Sequence, residues 1–507
     1  MQCHPVVAYV DEKRRECGSL PLRYLDVQEL QIEDEDEEMD YESDESAEFS
    51  PGGAFDDPEF DRSFTPAALQ YHSNFFQRLE RWSSSTHGVD TTSLRPQRQL
   101  EADWMRPWWE IDHSRREPEV CFYGLLAMLA GFLGLCVSYM VAVGLAMIPV
   151  VQTYITYAHR IDFFGYTKFD HPEDYGLAPG KTVNLHIQSL DSTTLGAWFI
   201  FAESFRHQTP LLAPAQSHGP NDIRSAIKAR PTILYLHGNT GTRALPVRVT
   251  VYTGLTGRLD VNVFTIDYRG FGDSDGHPTV DGVTRDARAA WDYLMLQGAK
   301  PQDVLIVGHS LGTAIASLLA ADLARDDVEP RGLVLMSAFS SIRKLMDQYH
   351  LFGFLPLLRP LTVVPFAPRV LDWSLKHRFD TLTIIPHVKT SVLLAHGKND
   401  WDIPHSHSTA LFDALLGPYL PAAPTISEDP LSVHGWLHRK ARKDLRAERR
   451  STLVQTTFIR RFGTLEEFVD QKKGGRRVSM LKTNAGGHDI GRLEGVQDAI
   501  GKMFGFY

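Results

Sequence analysis

One serine flanked by glycines is the pattern in this sequence best suited to carry chemistry: Gly308-His309-Ser310-Leu311-Gly312. A short apolar run, residues 304–307, precedes it, and the small and apolar residues 311–324 predict a helix after it. Gly-x-Ser-x-Gly between a strand and a helix is typical of a nucleophile elbow, a turn so tight that the two glycine positions leave no room for a side chain. We therefore predict that Ser310 is a nucleophile, with the N terminus of the following helix favouring negative charge beside it.

A serine nucleophile needs a base and an acid that orients the base. After this type of elbow, the acid and then a histidine follow the serine along the chain. Asp400 comes three residues after the apolar run 391–397, so we predict that it is the acid, with Asp402 as the alternative. His488 lies between the last predicted strand, residues 477–482, and a closing helix. This position distinguishes it among the 21 histidines and predicts that it is the base.

Backbone N–H groups should stabilise the oxyanion of an acyl-transfer reaction. One is expected from Leu311, directly after the nucleophile, and a second from Asn239 in the loop 237–241. The glycine-rich stretch 267–274 does not match a dinucleotide-binding motif, and we interpret it as a hydrogen-bonded turn. Walker, His-Glu-x-x-His and Cys-x-x-Cys motifs do not occur, so no cofactor or metal is expected.

The elements that must position these residues alternate between short apolar runs and helical stretches. Such runs, separated by helices, predict a mostly parallel, doubly wound α/β sheet over residues 180–507, opened by an antiparallel pair at 182–187 and 195–202. Helices are predicted at residues 246–257, 281–297, 311–324 and near 490–504. The predicted parallel strands are residues 232–238, 261–267, 304–310, 333–339 and 391–397.

Two stretches interrupt this alternation. Residues 341–388 are apolar but contain several prolines, which break any long helix. They form either part of the core or a lid that shields an apolar substrate channel and touches a bilayer. Residues 415–475 contain a run rich in Arg and Lys, which forms either a solvated basic helix or a contact for anionic lipid headgroups.

The N-terminal part of the chain differs in composition from the rest. Residues 120–151 carry no charge and exceed the roughly 20 apolar residues that span a bilayer core, so they predict a transmembrane helix. Residues 101–119 form a juxtamembrane segment. Eleven acids between residues 33 and 48 account for the net charge of −11 and predict disorder over residues 1–100, apart from a short helix that could form at 74–82.

Charge near the predicted transmembrane helix favours one orientation. Arg106, Arg115 and Arg116 precede it, whereas Arg160 and Lys168 follow it. The positive-inside rule therefore predicts a cytosolic N terminus and a lumenal catalytic domain, and we expect the endoplasmic reticulum as the compartment. Outside the acidic run the charge is nearly balanced, so a nucleic-acid partner is not expected.

Three sequence stretches carry a family resemblance: His237-Gly238-Asn239-Thr240-Gly241-Thr242-Arg243, Asp267-Tyr268-Arg269-Gly270-Phe271-Gly272-Asp273-Ser274 and Gly308-His309-Ser310-Leu311-Gly312-Thr313. Together with the loops of Asp400 and His488, they resemble the membrane-anchored α/β-hydrolase-domain 12 family. Those enzymes are monoacylglycerol and lysophosphatidylserine lipases with one N-terminal transmembrane helix. The resemblance implies the same three catalytic residues, Ser310, Asp400 and His488. The basic insertion and the acidic tail lie outside it.

The sequence therefore predicts a membrane-anchored serine hydrolase that cleaves carboxylic esters of lipids, either monoacylglycerol or lysophospholipid. The expected partners are a lipid substrate, the bilayer and, through the basic insertion, anionic headgroups. Two alternatives remain: a thioesterase that removes acyl groups from protein cysteines, and a non-catalytic membrane scaffold of the same fold.

Overall fold

The computed structural model describes residues 118–160, 168–207, 220–348, 350–351, 355–356, 361, 364–422 and 432–507. The region 1–100, with its possible short helix, and nearly all of the juxtamembrane segment lie outside these residues. The described residues from 137 to 507 belong to one compact unit, and residues 118–136 belong to another.

Helix α1 (Pro118–Ala146) is almost entirely apolar over its 29 residues. Its stretch Phe122–Ala146 is long and apolar enough to cross a membrane, since 29 residues of helix span about 43 Å against about 30 Å of bilayer core. The expected span continued to residue 151, but α1 ends at Ala146 and α2 (Pro149–Tyr157) begins after two residues. Proline lacks an N–H and therefore suits the first turn of a new helix better than a helix interior.

Twelve strands are found among the described residues, and ten of them form one mixed sheet in the order β1-β2-β4-β3-β5-β6-β9-β12-β11-β10. The stretch from β4 to β12 is parallel, and antiparallel strands extend both edges. This confirms the predicted α/β fold, including the antiparallel opening pair. The strands are β1 (Thr182–Gln188), β2 (Thr194–Ile200), β3 (Thr232–Leu236), β4 (Asn262–Ile266), β5 (Val304–His309), β6 (Gly332–Met336), β7 (His350–Leu351), β8 (Leu355–Pro356), β9 (Val392–Gly397), β10 (Gln455–Ile459), β11 (Gly463–Asp470) and β12 (Arg476–Thr483).

Helices cover both faces of the sheet, and each face has its own cluster of buried apolar side chains. Strands β3 to β6 are buried at every position, which explains why they appear in the sequence as continuous apolar runs. The remaining helices are α3 (Glu203–Arg206), α4 (Pro220–Ala229), α5 (Pro246–Arg258), α6 (Val280–Leu296), α7 (Leu311–Arg325), α8 (Ile342–Gln348), α9 (Ala367–Ser374), α10 (Thr381–Ile384), α11 (Ser406–Leu416), α12 (Val433–Leu453) and α13 (Glu494–Phe504).

The two interruptions of the α/β pattern have different structures. Residues 341–388, between β6 and β9, contain α8, the short β7–β8 pair, α9 and α10. The basic stretch 415–475 contains α12 and the two strands β10 and β11, which extend the main sheet beyond β12. The second interruption is thus partly integrated into the sheet, which the sequence did not indicate.

Candidate active site

Ser310 occupies the turn between β5 and α7. Its φ of 51° and ψ of −122° lie outside the regions that non-glycine residues normally adopt, as a nucleophile elbow requires. A Cβ on Gly312 would lie 2.0 Å from the Leu236 carbonyl oxygen, and one on Gly308 would lie 2.4 Å from the Gly312 oxygen. Both glycines are therefore required because strand and helix meet backbone to backbone.

Asp400 and His488 are brought together by the neighbouring parallel strands β9 and β12. His488 Nδ1 lies 2.9 Å from Asp400 Oδ2, and the carboxylate is buried. Its other oxygen accepts the backbone N–H groups of Asp402 and Ile403, both at 2.9 Å. The side chain of Asp402 is exposed, so this alternative acid contributes its backbone to the Asp400 site.

The charges of this pair support each other. Burial raises the pKa of Asp400, but the hydrogen bonds from His396 and His488 outweigh it and hold the pKa well below its usual range. Burial lowers the pKa of His488, but the hydrogen bond to Asp400 and its charge raise the pKa above its ordinary value. A basic imidazole beside a fixed carboxylate is what a general base needs.

The backbone of His488 is held by two further side chains. Its carbonyl oxygen accepts hydrogen bonds from His309 Nε2 at 3.0 Å and from the Ser337 hydroxyl at 2.7 Å. Burial and the neighbouring His488 lower the pKa of His309 to about 3, so His309 stays neutral and donates this bond. His309 lies inside the Gly-x-Ser-x-Gly motif, so the residue directly before Ser310 holds the backbone of His488.

Arg248, buried in α5, holds the loop after β3. Its guanidinium donates to the carbonyl oxygens of Gly238 at 3.0 Å, Asn239 at 2.9 Å, Thr240 at 2.6 Å and Thr242 at 2.7 Å. In a trans peptide the C=O and the following N–H point in opposite directions. Because the Gly238 carbonyl is turned to Arg248, the Asn239 N–H is turned away from it.

The predicted hydrogen-bonded turn supports the same loop from the other side. Asp267 accepts the backbone N–H of Arg243 at 2.7 Å and pairs with its guanidinium. Arg243 also pairs with Asp273. Arg269 donates to Asp286 on α6 and to Asp191 in the β1–β2 turn. The Arg243–Asp267 pair is fully buried, and these ion pairs together hold the loops that follow β3 and β4.

A cavity joins these parts. Ser310, His488 and Asn239 line it with Arg248, and the apolar side chains Leu245, Val247 and Val251 form one wall. Leu311, the first residue of α7, has a backbone N–H without an intrahelical acceptor, as first-turn residues do. Among the described residues no hydrogen bond joins Ser310 to His488, and catalytic hydrogen bonds commonly tighten only when substrate binds.

Asp400, Asp402 and His488 place possible ligand atoms within 4.8 Å of one another. A metal there would have to displace the 2.9 Å bond between His488 and Asp400 and the two backbone donors on the Asp400 carboxylate. The donors already surrounding this carboxylate therefore favour a role as the orienting acid.

Three residues of this site were missed by reasoning from sequence. Arg248 and Ser337 left no signal, because both act on backbone carbonyls that any residue could supply. His309 lies inside the motif, but the motif admits any residue there. Only the structure places it against the backbone of His488.

Residues 231–352 match the family model described as the alpha/beta hydrolase fold. This match and the mixed sheet with its elbow define the class, an α/β hydrolase fold. The lysophosphatidylserine lipase ABHD12 of Xenopus tropicalis is 33% identical over 230 residues, or 44% of this chain and 56% of that protein. The Bos taurus protein of the same name is 29% identical, over 59% of this chain and 71% of that protein. The chain is therefore similar to proteins named ABHD12 and has the α/β hydrolase fold.

The matches are partial: the aligned part spans a little over half the length of the Xenopus relative and 66% of the lysophosphatidylserine lipase ABHD12 of Gallus gallus. Among solved structures, an α/β hydrolase from Vibrio vulnificus is 16% identical with a TM-score of 0.40, over 70% of this chain and 90% of that one. A similarity this low carries no argument about substrate.

Proposed function

We propose that this protein is a membrane-anchored serine hydrolase that cleaves carboxylic esters of lipids, such as monoacylglycerol or lysophospholipid. The observation that carries the proposal is the arrangement around one cavity: Ser310 on a strained elbow, and His488 with its Nδ1 bound to a buried Asp400. The names of the relatives, lysophosphatidylserine lipases, support the lipid substrate class.

In the proposed acylation step, Ser310 Oγ attacks the carbonyl carbon of the ester while His488 Nε2 accepts the serine proton. Asp400 holds the imidazole in the tautomer that leaves Nε2 free and stabilises the positive charge that develops. The N–H groups of Leu311 and Asn239 donate to the oxyanion. The intermediate collapses when His488 gives its proton to the leaving alcohol, and an acyl-enzyme remains.

In the deacylation step, His488 accepts a proton from a water molecule, which attacks the acyl carbon through a second oxyanion. Collapse of this intermediate releases the fatty acid, and His488 returns the proton to Ser310 Oγ. The apolar wall of Leu245, Val247 and Val251 is suited to an acyl chain rather than to a polar substituent.

A fluorophosphonate probe, which reacts only with an activated serine, tests the chemistry. We expect the wild type to be labelled and Ser310→Ala to remain unlabelled. Hydrolysis of lysophosphatidylserine and monoacylglycerol, compared with acylated protein, tests the substrate class. Absence of wild-type labelling would favour the scaffold alternative, and release from acyl-protein alone would favour the thioesterase.

We also propose that α1 anchors the chain in the endoplasmic reticulum membrane with the hydrolase domain in the lumen. The chain has no Asn-x-Ser/Thr site, so introduced sites report topology on a clean background. Gln455→Asn creates Asn-Thr-Thr on the exposed strand β10, and Asp44→Asn creates Asn-Glu-Ser in the N-terminal tail. We expect glycosylation of the first alone. Glycosylation of the second alone would reverse the orientation.

Helix α12 is the proposed contact for anionic headgroups. It carries seven Arg and Lys against two acids, Asp444 and Glu448. Arg450 is tied to Glu466 and Asp413, whereas Lys440 lies over the exposed ring of Trp436. Reversing charge at Arg442 and Lys443 should weaken binding to vesicles that contain phosphatidylserine and leave binding to neutral vesicles unchanged.

A further inference from the structure

Two neighbouring segments expose large apolar side chains beside the cavity-bearing domain. On α2 these are Val150, Tyr154 and Ile155, which lie on one side of the helix. The α9 segment, residues 364–376, exposes further side chains of this kind. Two of them are among the most exposed aromatic residues described: Phe366 is 68% exposed and Trp373 is 84% exposed. Val364 and Val370 belong to the same set. An apolar set of this size on a domain surface indicates a binding surface.

The two segments form one structural unit. The Gln152 side chain donates to the Ser374 carbonyl at 2.9 Å and accepts the Lys376 N–H at 2.9 Å. His377, which is buried, lies 2.9 Å from Thr153 Oγ1 and 3.3 Å from the Tyr157 hydroxyl. These contacts, between residues at least 220 positions apart in sequence, fix α9 against α2, so the exposed side chains of both helices keep a constant spacing.

Chain connectivity places this unit near a membrane if α1 spans one. Only Met147 and Ile148 separate the end of α1 from Pro149, the first residue of α2. Two extended residues reach about 7 Å, so α2 must begin within the interfacial layer where α1 leaves the bilayer core.

The chemistry of the exposed side chains fits that layer. Trp373 and Tyr154 are of the residue types enriched at membrane interfaces. Two exposed cations accompany them: Arg369, 5.9 Å from the Phe366 ring, and Lys376. In that layer, headgroup phosphates can pair with cations while neighbouring apolar side chains reach the acyl boundary.

We propose that α2 and the α9 segment form one membrane-docking face that inserts its apolar side chains into the bilayer interface next to α1. The occupant of this face is the phospholipid bilayer, and the proposal rests on the anchoring role proposed for α1. Helix α2 also contacts the candidate active site. The Tyr157 carbonyl, at the end of α2, accepts the backbone N–H of Thr240 in the loop 237–241 at 2.9 Å. Docking therefore holds the loop 237–241, and with it the candidate active site, close to the membrane surface.

Quenching of a fluorophore by nitroxide-labelled lipid tests the docking without using enzyme activity. The full chain, with its four cysteines replaced by alanine, is reconstituted in nanodiscs of phosphatidylcholine and phosphatidylserine, with or without lipid labelled near the headgroup. Bimane is attached to Val370→Cys in one sample and Ile155→Cys in another. Since an interfacial face sits about 5–10 Å deep, we expect each signal to fall about twofold or more with labelled lipid.

Two matched sites separate docking from anchoring. Phe458→Cys, on the exposed strand β10, reports a large apolar side chain elsewhere on the domain and should be quenched little. Leu133→Cys, near the middle of α1, reports the anchor itself in nanodiscs whose lipid carries the nitroxide deep in its acyl chain. If Leu133 is quenched while Val370 and Ile155 are quenched no more than Phe458, the docking face is overturned and the anchor stands. Absence of quenching at Leu133 overturns the anchor and the docking face together.

Discussion

Arg248→Met tests how the loop 237–241, which carries the proposed oxyanion donor Asn239, is positioned. The guanidinium donates to four carbonyls, and methionine retains most of the length of the side chain but none of its donors. Each carbonyl left without a donor costs about 1–3 kcal/mol when buried, and water from the adjoining cavity offsets part of this. We therefore expect a loss of a few kcal/mol in unfolding free energy at most, with the domain still folded.

The catalytic effect should exceed the effect on stability. With Arg248 gone, the Gly238 carbonyl can rotate, and the Asn239 N–H rotates with it because they share one peptide plane. Loss of one oxyanion donor lowers kcat by about 10²–10³. We expect this fall in kcat with little change in KM, and a partial recovery in Arg248→Lys, which restores a charged donor.

The first assay is steady-state hydrolysis of a lysophospholipid. The second compares the binding of a boronic acid, which mimics the tetrahedral intermediate, with the binding of the fatty acid product. Arg248→Met should weaken boronic acid binding selectively. Arg258→Met on the same helix removes an exposed guanidinium paired with Asp498 and Glu494 and serves as the control, with unchanged kcat. A kcat for folded Arg248→Met within about threefold of wild type would refute the reasoning, since one donor is worth far more.

Four further predictions concern the elbow, the base, the acid that orients it and the docking face. Gly312→Ala should prevent folding or lower the unfolding free energy by several kcal/mol, measured by thermal unfolding, because its Cβ would lie 2.0 Å from the Leu236 oxygen. The control Gly257→Ala, whose Cβ would have nothing within 4 Å, should be neutral or stabilising. Since neutral His488 is the active form and its pKa is raised, kcat/KM should rise with pH through a midpoint above 6.5. Asp400→Asn should lower kcat about 10⁴-fold and move that midpoint down; an unmoved midpoint would contradict the assignment. Trp373→Glu should reduce hydrolysis of long-chain esters in vesicles but leave a soluble short-chain ester unaffected, whereas Phe458→Glu should change neither.

The sheet and elbow could be predicted from sequence because their causes are local. A parallel strand buried on both faces must be a continuous apolar run, and a backbone contact at Gly308 and Gly312 excludes every side chain. The positions of Asp400 and His488 follow from the order of strands. The α/β hydrolase fold was confirmed and the predicted family resemblance is supported by the ABHD12 relatives, whereas the roles of the catalytic residues stay predictions.

Strands β10 and β11 could not be predicted for the opposite reason. Every residue of β10 is exposed, so no buried face imposes a pattern on Gln455–Ile459. Its partner β11 is only partly buried and contains three acids, Glu466, Glu467 and Asp470. Edge strands of this kind take their hydrogen bonds from a neighbour and need no apolar sequence of their own.

A long insertion separates Asp400 from His488 in sequence, yet the two side chains remain in contact. Strands β9 and β12 pair directly in parallel, with Thr483 opposite Gly397, so the loops that follow them begin side by side. The Gly487 N–H donates to Asn399 Oδ1 at 2.9 Å and joins the two loops. Because β11 and β10 add to the outer edge of β12, the described part of the insertion leaves the β9–β12 pairing intact. Closing a longer loop costs only about 0.6 kcal/mol for each doubling of its length. The distance between acid and base is therefore set by adjacent strands, and the length of chain between them is free to change.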